Sequence, residues 1–274
     1  MKKKRLIPIV LLKDGWIVQS KNFSRYQNIG NPITSVKRLS EWGSDELIYL
    51  DISRSDKYDL RRDDQGYENR KTFLEIIEDV SVNCFMPITV GGKITSLSDI
   101  EQRLRAGADK VCINSAAVKD RNFVTYAARE FGSQCIVVSL DVKQLDKKYF
   151  IHINGGKDPT ELELGDLALE MQERGAGELL INSIDRDGMG IGYDHEIYNI
   201  VHKLVNIPII ACGGVGEYSD FSNLLEKVDV DAVAAANIFH YRDQAVYLAK
   251  QHLFKRGFRF RKPEILKLNQ KKKH

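Results

Sequence analysis

The sequence predicts a single (β/α)8 TIM barrel that is built from two half-barrel repeats. Eight short apolar runs alternate with amphipathic, helix-forming stretches, which is typical of βαβ units around a parallel sheet. Blocks of the first half recur in the second half. The length of 274 residues suits one such barrel, which commonly needs about 250 residues.

The predicted strands are short and mostly apolar, as expected for strands that are buried on both faces. They are Leu6–Leu12, Leu47–Asp51, Ile88–Val90, Lys110–Asn114, Ile136–Asp141, Leu179–Ile184, Ile209–Cys212 and Ala232–Ala236. Stretches with apolar residues about 3.6 positions apart predict helices between them. Examples are Phe73–Ser81, Asp99–Arg105, Asn122–Glu130 and Leu164–Arg174.

The internal repeats indicate two halves of four units each. Residues 87–118 echo residues 208–239: both have a proline, an apolar strand, a glycine pair, a Ser-Asp helix start and a second strand. A second pair of segments is also similar: residues 44–55 read SDELIYLDISRS, and residues 176–187 read AGELLINSIDRD. When the two halves are aligned in this way, the first predicted strand corresponds to the fifth.

Composition argues against several classes of protein. The chain has 41 Lys and Arg residues against 38 Asp and Glu residues, a balance that does not indicate a nucleic-acid binder. The four cysteines are far apart and lack zinc-site spacing, so we expect no metal, cofactor or disulfide framework. Neither a signal peptide nor an apolar run of 18 residues is present, which predicts a cytoplasmic protein without a membrane span.

Two segments depart from the barrel, which we assign to residues 1–258. Residues 53–71, rich in Asp and Arg, form a loop insertion after the second strand. A lid, a docking surface and a disordered insertion are all compatible with it. Residues 259–274 are predicted to be a basic, partly disordered tail.

A single carboxylate, Asp141, ends the fifth predicted strand. In barrels of parallel strands the active site lies at the carboxyl ends of the strands, so Asp141 is a candidate catalytic residue. A helix-capping or loop-capping role is the alternative. Asp187, after the sixth strand, is a second carboxylate at the same mouth, whereas the position in the first strand that matches Asp141 is Leu11.

Glycine pairs follow two strands at equivalent places in the two halves. Glycine lets backbone amides approach a phosphate closely, and a following helix N-terminus adds a favourable dipole. Tight βα turns also favour glycine, but the duplication predicts two sites for a phosphorylated small molecule. These are Gly91, Gly92, Asn114 and Ser115 in one half, and Gly213, Gly214, Ala236 and Asn237 in the other.

Over residues 5–258 the chain resembles the cyclase subunit of imidazole glycerol phosphate synthase. The resemblance implies a barrel that forms a heterodimer with a glutaminase subunit, receives ammonia from it, and cleaves and cyclises a bis-phosphorylated ribulosyl-imidazole nucleotide. It is carried by KDG (13–15), ITVGG (88–92), GADKVCINSAAV (107–118), GSQCIVVSLD (132–141), RGAGELLINSIDRDG (174–188), PIIACGGVG (208–216) and AANIFH (235–240).

The same resemblance implies an altered catalytic mouth. The family uses two aspartates as general acid and base, and here the second is Asp141 while Leu11 replaces the first. Gln19 stands where the family has a lysine close to the substrate, and Lys21 is two residues away. Because general acid–base catalysis typically contributes about 10²–10⁴-fold per group, we expect a poor cyclase.

The opposite end of the barrel matches the family's ring of charged residues. Arg5, Glu46, Lys110 and Glu178 occupy the four positions that the resemblance assigns to an ammonia gate in the barrel floor. Neutral ammonia crosses an apolar interior more easily than ammonium does. Ion pairs that only plug the floor are the alternative. Asp109 matches a position that faces the glutaminase partner.

A matching floor and an altered mouth favour ammonia delivery without ring formation. In this respect the chain is similar to divergent family members found with surface-polysaccharide genes, which work with a glutaminase and a separate sugar amidotransferase. We therefore expect a barrel that channels ammonia in nucleotide-sugar and lipopolysaccharide biosynthesis. There are two alternatives. One is an authentic cyclase, which is a lyase of histidine biosynthesis, and the other is a non-catalytic phosphate-binding scaffold.

Overall fold

The computed structural model describes residues 3–55, 57–61 and 69–266 and contains a closed barrel of eight parallel strands. In chain order, the described strands are β1 (Arg5–Lys13), β2 (Trp16–Lys21), β3 (Arg25–Gly30), β4 (Leu47–Asp51), β5 (Ile88–Gly91), β6 (Lys110–Ile113), β7 (Ile136–Leu145), β8 (Lys148–Ile153), β9 (Asp158–Glu163), β10 (Glu178–Ser183), β11 (Ile209–Cys212) and β12 (Ala232–Ala235). The barrel order is β1-β4-β5-β6-β7-β10-β11-β12, and β12 pairs with β1 to close the ring. The predicted fold class is confirmed.

Helices connect the barrel strands and cover the outside of the barrel. They are α1 (Pro32–Glu41), α2 (Phe73–Asn83), α3 (Leu97–Arg105), α4 (Ser115–Lys119), α5 (Arg121–Phe131), α6 (Leu164–Glu173), α7 (His195–His202), α8 (Tyr218–Lys227) and α9 (Ala245–Lys255). Short 3-10 turns are found at Ser133–Cys135, Ile184–Arg186 and Asn237–His240. None of the helices in the described ranges is long and apolar enough to cross a membrane.

Alternation along each strand separates an outer core from an inner core. In β1, Leu6, Val10 and Leu12 belong to the outer core between the strands and the helices. Ile7 and Ile9 belong to a smaller cluster inside the barrel. Both faces of the barrel strands are therefore buried, which explains their continuous apolar runs.

The Ser-Asp helix starts of the repeat have a common structural role. Asp99 Oδ2 accepts hydrogen bonds from the backbone N–H groups of Thr95 and Ser96 at the start of α3. Asp220 Oδ2 accepts from Gly216 N and Glu217 N at the start of α8. Each aspartate thus satisfies amides at a helix N-terminus, in the same place in both halves.

Each half also carries an antiparallel hairpin after its first strand. The strand β1 turns back into β2 and β3, and β7 continues into β8 and β9. The first turn contains Gly15, which has a φ of +91° and no room for a side chain because Asn69 lies against it. These hairpins were not predicted, and both flank the mouth of the barrel.

Chain segments outside the barrel pattern pack against its two ends. Of the predicted tail 259–274, residues 259–266 are described: Phe260 is buried, and Arg261 Nη2 donates to Gly43 O and Ser44 O beside the floor. Residues 267–274 lie outside the described residues. Of the predicted insertion 53–71, residues 53–55, 57–61 and 69–71 are described, and Asn69 Nδ2 donates to Gly15 O at 2.8 Å.

Candidate functional site

The carboxyl ends of the barrel strands surround a cavity of about 1210 Å³. Barrels of this class hold their active sites at this end. Asp141 on β7, Asp187 just after β10 and Leu11 on β1 all line the cavity. The structure therefore brings three of the four predicted catalytic positions together.

The fourth predicted position, Gln19, lies away from the cavity. Its Nε2 donates to Gln27 Oε1 at 2.6 Å across the hairpin of β2 and β3. Lys21, at the end of β2, is exposed and does not line the cavity either. In this arrangement neither side chain forms part of the cavity wall.

Asp141 is the most strongly perturbed acid of the mouth. Its side chain is nearly inaccessible, and its Oδ2 accepts a hydrogen bond from Asn114 Nδ2 at 3.0 Å. Burial raises the pKa of Asp141 to about 7, assisted by the charge of Asp187 and opposed by the hydrogen bond from Asn114. A carboxyl group with a pKa near neutrality both accepts and releases protons readily, which suits a general acid or base.

Asp187 is held by the hairpin that covers one side of the mouth. Its Oδ2 accepts from Ser20 Oγ at 2.7 Å and from Phe23 N at 3.4 Å. Its backbone carbonyl accepts from Asn22 N at 2.9 Å. Burial raises the pKa of Asp187, against the effect of these hydrogen bonds. Asp187 therefore anchors the hairpin as well as lining the cavity.

Leu11 gives the β1 side of the mouth an apolar wall. It packs against the inner core and pairs in register with Leu50 of β4. The nearest acid along β1 is Asp14, whose half-exposed carboxylate lies 3.4 Å from Lys13 Nζ. The β1 strand end thus presents no buried acid opposite Asp141.

The first predicted phosphate site opens into the cavity. Gly92, Asn114 and Ser115 line it. Gly92 has a φ of +105° and lies against the backbone of Asp51, so only glycine fits there. Ser115 Oγ donates to Asn114 Oδ1 at 3.0 Å and accepts from the backbone N–H of Asn154 in the turn between β8 and β9. Gly91, one residue earlier, is within β5 and does not line the cavity.

The second predicted phosphate site is covered by the first hairpin. Asn237 Nδ2 donates to Ser20 O at 2.7 Å, and Ser20 N donates to Asn237 Oδ1 at 3.3 Å. Gly214 lies against the carbonyl of Gly192 and accepts a hydrogen bond from its N–H. Of this site, Ala236 lines the cavity, whereas Gly213, Gly214 and Asn237 do not. The two halves therefore differ in how open their glycine loops are.

Four charged side chains form an alternating ring at the opposite end of the barrel. Arg5 bridges Glu46 at 2.6 Å and Glu178 at 2.8 Å, and Lys110 bridges Glu46 at 3.0 Å and Glu178 at 2.7 Å. Thr89 Oγ1 also donates to Glu46 Oε1 at 2.8 Å. Burial alone would raise the pKa of Glu178, but the charges of Arg5 and Lys110 outweigh burial and lower it. The four side chains thus form a continuous ring of ion pairs that closes the floor.

Between this ring and the mouth, the inner core is apolar. An ion would lose its hydration there without compensation, whereas a small neutral molecule would lose much less. The buried members of this core are Ile7, Ile9, Ile48, Cys112, Val137, Leu180, Ile210, Cys212, Ala232 and Ala234.

Asp109, the predicted partner-facing residue, has a structural contact of its own. Its Oδ2 accepts from Ile88 N at 2.8 Å at the start of β5. Asp231 Oδ2 accepts from Ile209 N at 3.0 Å at the equivalent place in the second half. Asp109 thus caps a strand at the floor, and its role toward a partner stays a prediction.

Sequence reasoning did not identify Asn182 or the basic rim of the mouth. Asn182 lines the cavity on β10, and its buried Oδ1 has no hydrogen-bond partner among the described residues. The signal was a lone polar residue inside the apolar run 179–184. The basic rim comes from five separate places in the chain, which no local motif unites. Its members are Lys13, Arg54, Lys93, Lys119 and Lys157.

Comparisons with known proteins agree with the resemblance in the sequence. A family model described as histidine biosynthesis protein matches residues 5–245. The imidazole glycerol phosphate synthase subunits HisF of Natranaerobius thermophilus and of Flavobacterium johnsoniae are each 41% identical over 261 residues, which cover 95% of this chain and 100% of the relative. The subunit HisF of Dehalococcoides mccartyi is 40% identical over 257 residues, covering 94% of this chain and 97% of the relative. The chain therefore belongs to the histidine biosynthesis protein family.

Proposed function

We propose that this chain is the ammonia-conducting barrel of a HisF-type glutamine amidotransferase complex. In this proposal a glutaminase docks at the floor, and the ammonia leaves through the mouth to a separate sugar amidotransferase of nucleotide-sugar and surface-polysaccharide biosynthesis. The observation that carries the proposal is Leu11, an apolar side chain at the mouth, in a barrel that has a complete charged floor.

The floor and the interior support ammonia conduction. The ring of Arg5, Glu46, Lys110 and Glu178 excludes ions because every charge in it is already paired. Beyond the ring lies an apolar inner core, which favours neutral ammonia over ammonium. Docking of a partner at this face would have to break at least one of the pairs to let ammonia pass.

The mouth supports the loss of ring-forming chemistry. Cyclisation in the family needs an acid on each side of the mouth, and Asp141 has no buried acid facing it from β1. Asp187 is already engaged by Ser20 and Phe23 of the hairpin. The Nε2 of Gln19 is likewise engaged within the hairpin, by Gln27. With Leu11 on β1, the pair of acids that the family uses is reduced to Asp141, which would have to carry both proton transfers.

The second candidate is an authentic imidazole glycerol phosphate synthase cyclase of histidine biosynthesis. The comparisons favour this candidate over a polysaccharide role, because the relatives reported above are named as subunits of that synthase. The pKa of Asp141, raised to about 7 by burial, also suits catalysis. A non-catalytic phosphate-binding scaffold would use the open glycine loop at Gly92 but leave the charged floor without a role.

A cyclase assay on the purified chain separates these candidates. The bis-phosphorylated ribulosyl-imidazole nucleotide is supplied with ammonium at alkaline pH, so that no glutaminase is needed, and Leu11→Asp is measured beside the unmodified chain. Leu11→Asn is the matched control, because the asparagine side chain has the shape of aspartate but carries no carboxyl group.

We expect the unmodified chain and Leu11→Asn to stay at the background rate of the assay, and Leu11→Asp to exceed that rate. The gain should approach the contribution of one general acid or base, about 10²-fold or more over the background rate. Turnover by the unmodified chain at the level of a HisF cyclase would overturn the proposal and assign the chain to histidine biosynthesis.

A further inference from the structure

A second cavity lies outside the barrel, between α1 and the 3-10 turn Asn237–His240. It has a volume of about 150 Å³ and shares no lining residue with the mouth. Two cationic side chains line it from different elements: Arg38 on α1 and Arg242 just after the turn. Both are exposed, so the cavity is open to solvent.

The charges of this cavity are not neutralised by ion pairs. Asp243 also lines it, but no ion pair joins Asp243 to Arg38 or Arg242, and neither arginine pairs with another carboxylate in the described part of the chain. Arg242 interacts instead with the hydroxyl of Tyr218: burial raises the pKa of Tyr218, and the charge and hydrogen bond of Arg242 partly oppose that rise. Two guanidinium groups with open hydrogen-bonding capacity and one carboxylate leave the cavity with a net positive charge.

A buried hydroxyl in the same cavity lacks a partner. Ser35 on α1 lines the cavity and is 2% exposed. Its Oγ makes no hydrogen bond to any described residue. Leaving a buried hydroxyl unsatisfied is costly, and an acceptor bound in the cavity would relieve that cost.

A buried histidine, His240, also lines this cavity. Burial lowers the pKa of His240 to about 4, and the charge of Arg38 lowers it in the same direction. The imidazole is therefore neutral at pH 7 and retains one ring N–H that can donate. His240 thus adds a donor to the hydroxyl of Ser35 and the two guanidinium groups.

We propose that this cavity binds a single phosphate-type oxyanion, with Arg38 and Arg242 supplying charge and Ser35 supplying a buried donor. Planar guanidinium groups from two elements suit the oxygens of a tetrahedral anion. The site is separate from both glycine loops. It also adjoins the turn that carries Asn237, which holds the hairpin through Ser20, so a bound anion would stabilise the covering of the second glycine loop.

The test uses the fluorescence of Trp42, which lines the cavity. The chain has 2 tryptophans, and the variant Trp16→Phe leaves Trp42 as the sole reporter. Inorganic phosphate is titrated into the full chain at constant ionic strength, with sodium sulfate as a second tetrahedral anion and sodium chloride as the reference. We expect a saturable change with phosphate and sulfate but not with chloride.

Three substitutions in the Trp16→Phe background locate the site. Arg38→Gln and Arg242→Gln should each raise the half-saturating phosphate concentration roughly tenfold, because each removes a charge-assisted hydrogen bond. Lys37→Gln is the matched control: it removes the same charge from the same helix, but Lys37 does not line the cavity. A response that is linear in phosphate, or that Lys37→Gln weakens as much as Arg38→Gln does, would overturn the proposal. The two arginine variants lie on different elements, and thermal unfolding of each checks that it is folded.

Discussion

Asn114, just after β6, donates a hydrogen bond to Asp141 on the neighbouring strand β7, with 3.0 Å between Nδ2 and Oδ2. The bond favours the ionised carboxylate, whereas burial disfavours it. Burial prevails, so the pKa of Asp141 is raised to about 7. The structure therefore keeps a group that is useful for proton transfer at the expense of stability.

The substitution Asp141→Asn is expected to stabilise the protein at pH 8. Between about pH 4 and pH 7 the folded chain holds a proton that the unfolded chain has released, so stability falls as pH rises through this window. Above pH 7 the folded chain bears the full cost of burying the ionised carboxylate, and removing that charge should raise the free energy of unfolding by up to about 4 kcal/mol. Urea unfolding of both proteins from pH 4 to pH 8 measures this gain and its pH dependence.

The pH dependence distinguishes this effect from a packing effect. At pH 4 both proteins carry a neutral group at position 141, so the difference in unfolding free energy should nearly vanish. Asp146→Asn, at an exposed carboxylate in the turn after β7, is the matched control and should show no such dependence. A stabilisation by Asp141→Asn that is the same at both pH values would contradict the raised pKa.

The hydrogen bond itself can be tested through Asn114→Ala. Loss of the amide removes the contact that opposes burial, so the pKa of Asp141 should rise above 7. Titration of the ¹³C-labelled carboxyl group by NMR measures this shift. Ser115→Ala is the control, since Ser115 Oγ bonds Asn114 Oδ1 and not the carboxylate. An unchanged or lowered pKa in Asn114→Ala would show that the bond does not act on Asp141.

The barrel strands could be predicted from the sequence because burial on both faces makes them continuous apolar runs. The observed strand ends coincide with the predicted ones or differ by one residue, except that β7 extends beyond Asp141 to Leu145, into its hairpin. The hairpin of β2 and β3 was missed because Arg25–Gly30 is polar and largely exposed, without apolar alternation. The second hairpin did carry a signal: Asn154-Gly155, a dipeptide typical of tight hairpin turns.

The candidate site was less predictable than the fold. Motifs and the resemblance predicted Asp141 and Leu11 at one mouth, and both side chains line the cavity there. They did not show that Asn114 would bond a carboxylate or that Asn237 would bond the backbone of Ser20. A motif gives the position of a residue along its strand, whereas the direction of its side chain depends on partners far away in the chain.

Residues 258–266 are expected to contribute to stability, and truncation tests this. A chain that ends at Gly257 loses the buried ring of Phe260 and the hydrogen bonds of Arg261 to the loop at Gly43. Burial of an aromatic side chain contributes about 2–3 kcal/mol, and we expect a loss of that size in the free energy of unfolding. The control is a chain that ends at Leu266. Equal stability of the two truncated chains would contradict the prediction.

The floor ring should behave as one electrostatic unit. Lys110 Nζ lies 2.7 Å from Glu178 Oε1, and both side chains are mostly buried. Lys110→Met leaves an excess negative charge in the ring and should destabilise the protein by about 3 kcal/mol. Adding Glu178→Gln restores charge balance between Arg5 and Glu46, so the double variant should be more stable than the sum of the single losses predicts, by about 1–3 kcal/mol. Denaturant unfolding of the four proteins measures this coupling.

The control is the same cycle on the exposed pair Arg105 and Glu101, 2.6 Å apart, which should give a coupling of less than about 0.5 kcal/mol. Additive losses at the floor would mean that the four charges are independent, and opening one pair would then not affect the others. Strong coupling would instead mean that the docking partner of the proposed function must rearrange the whole ring to open the floor.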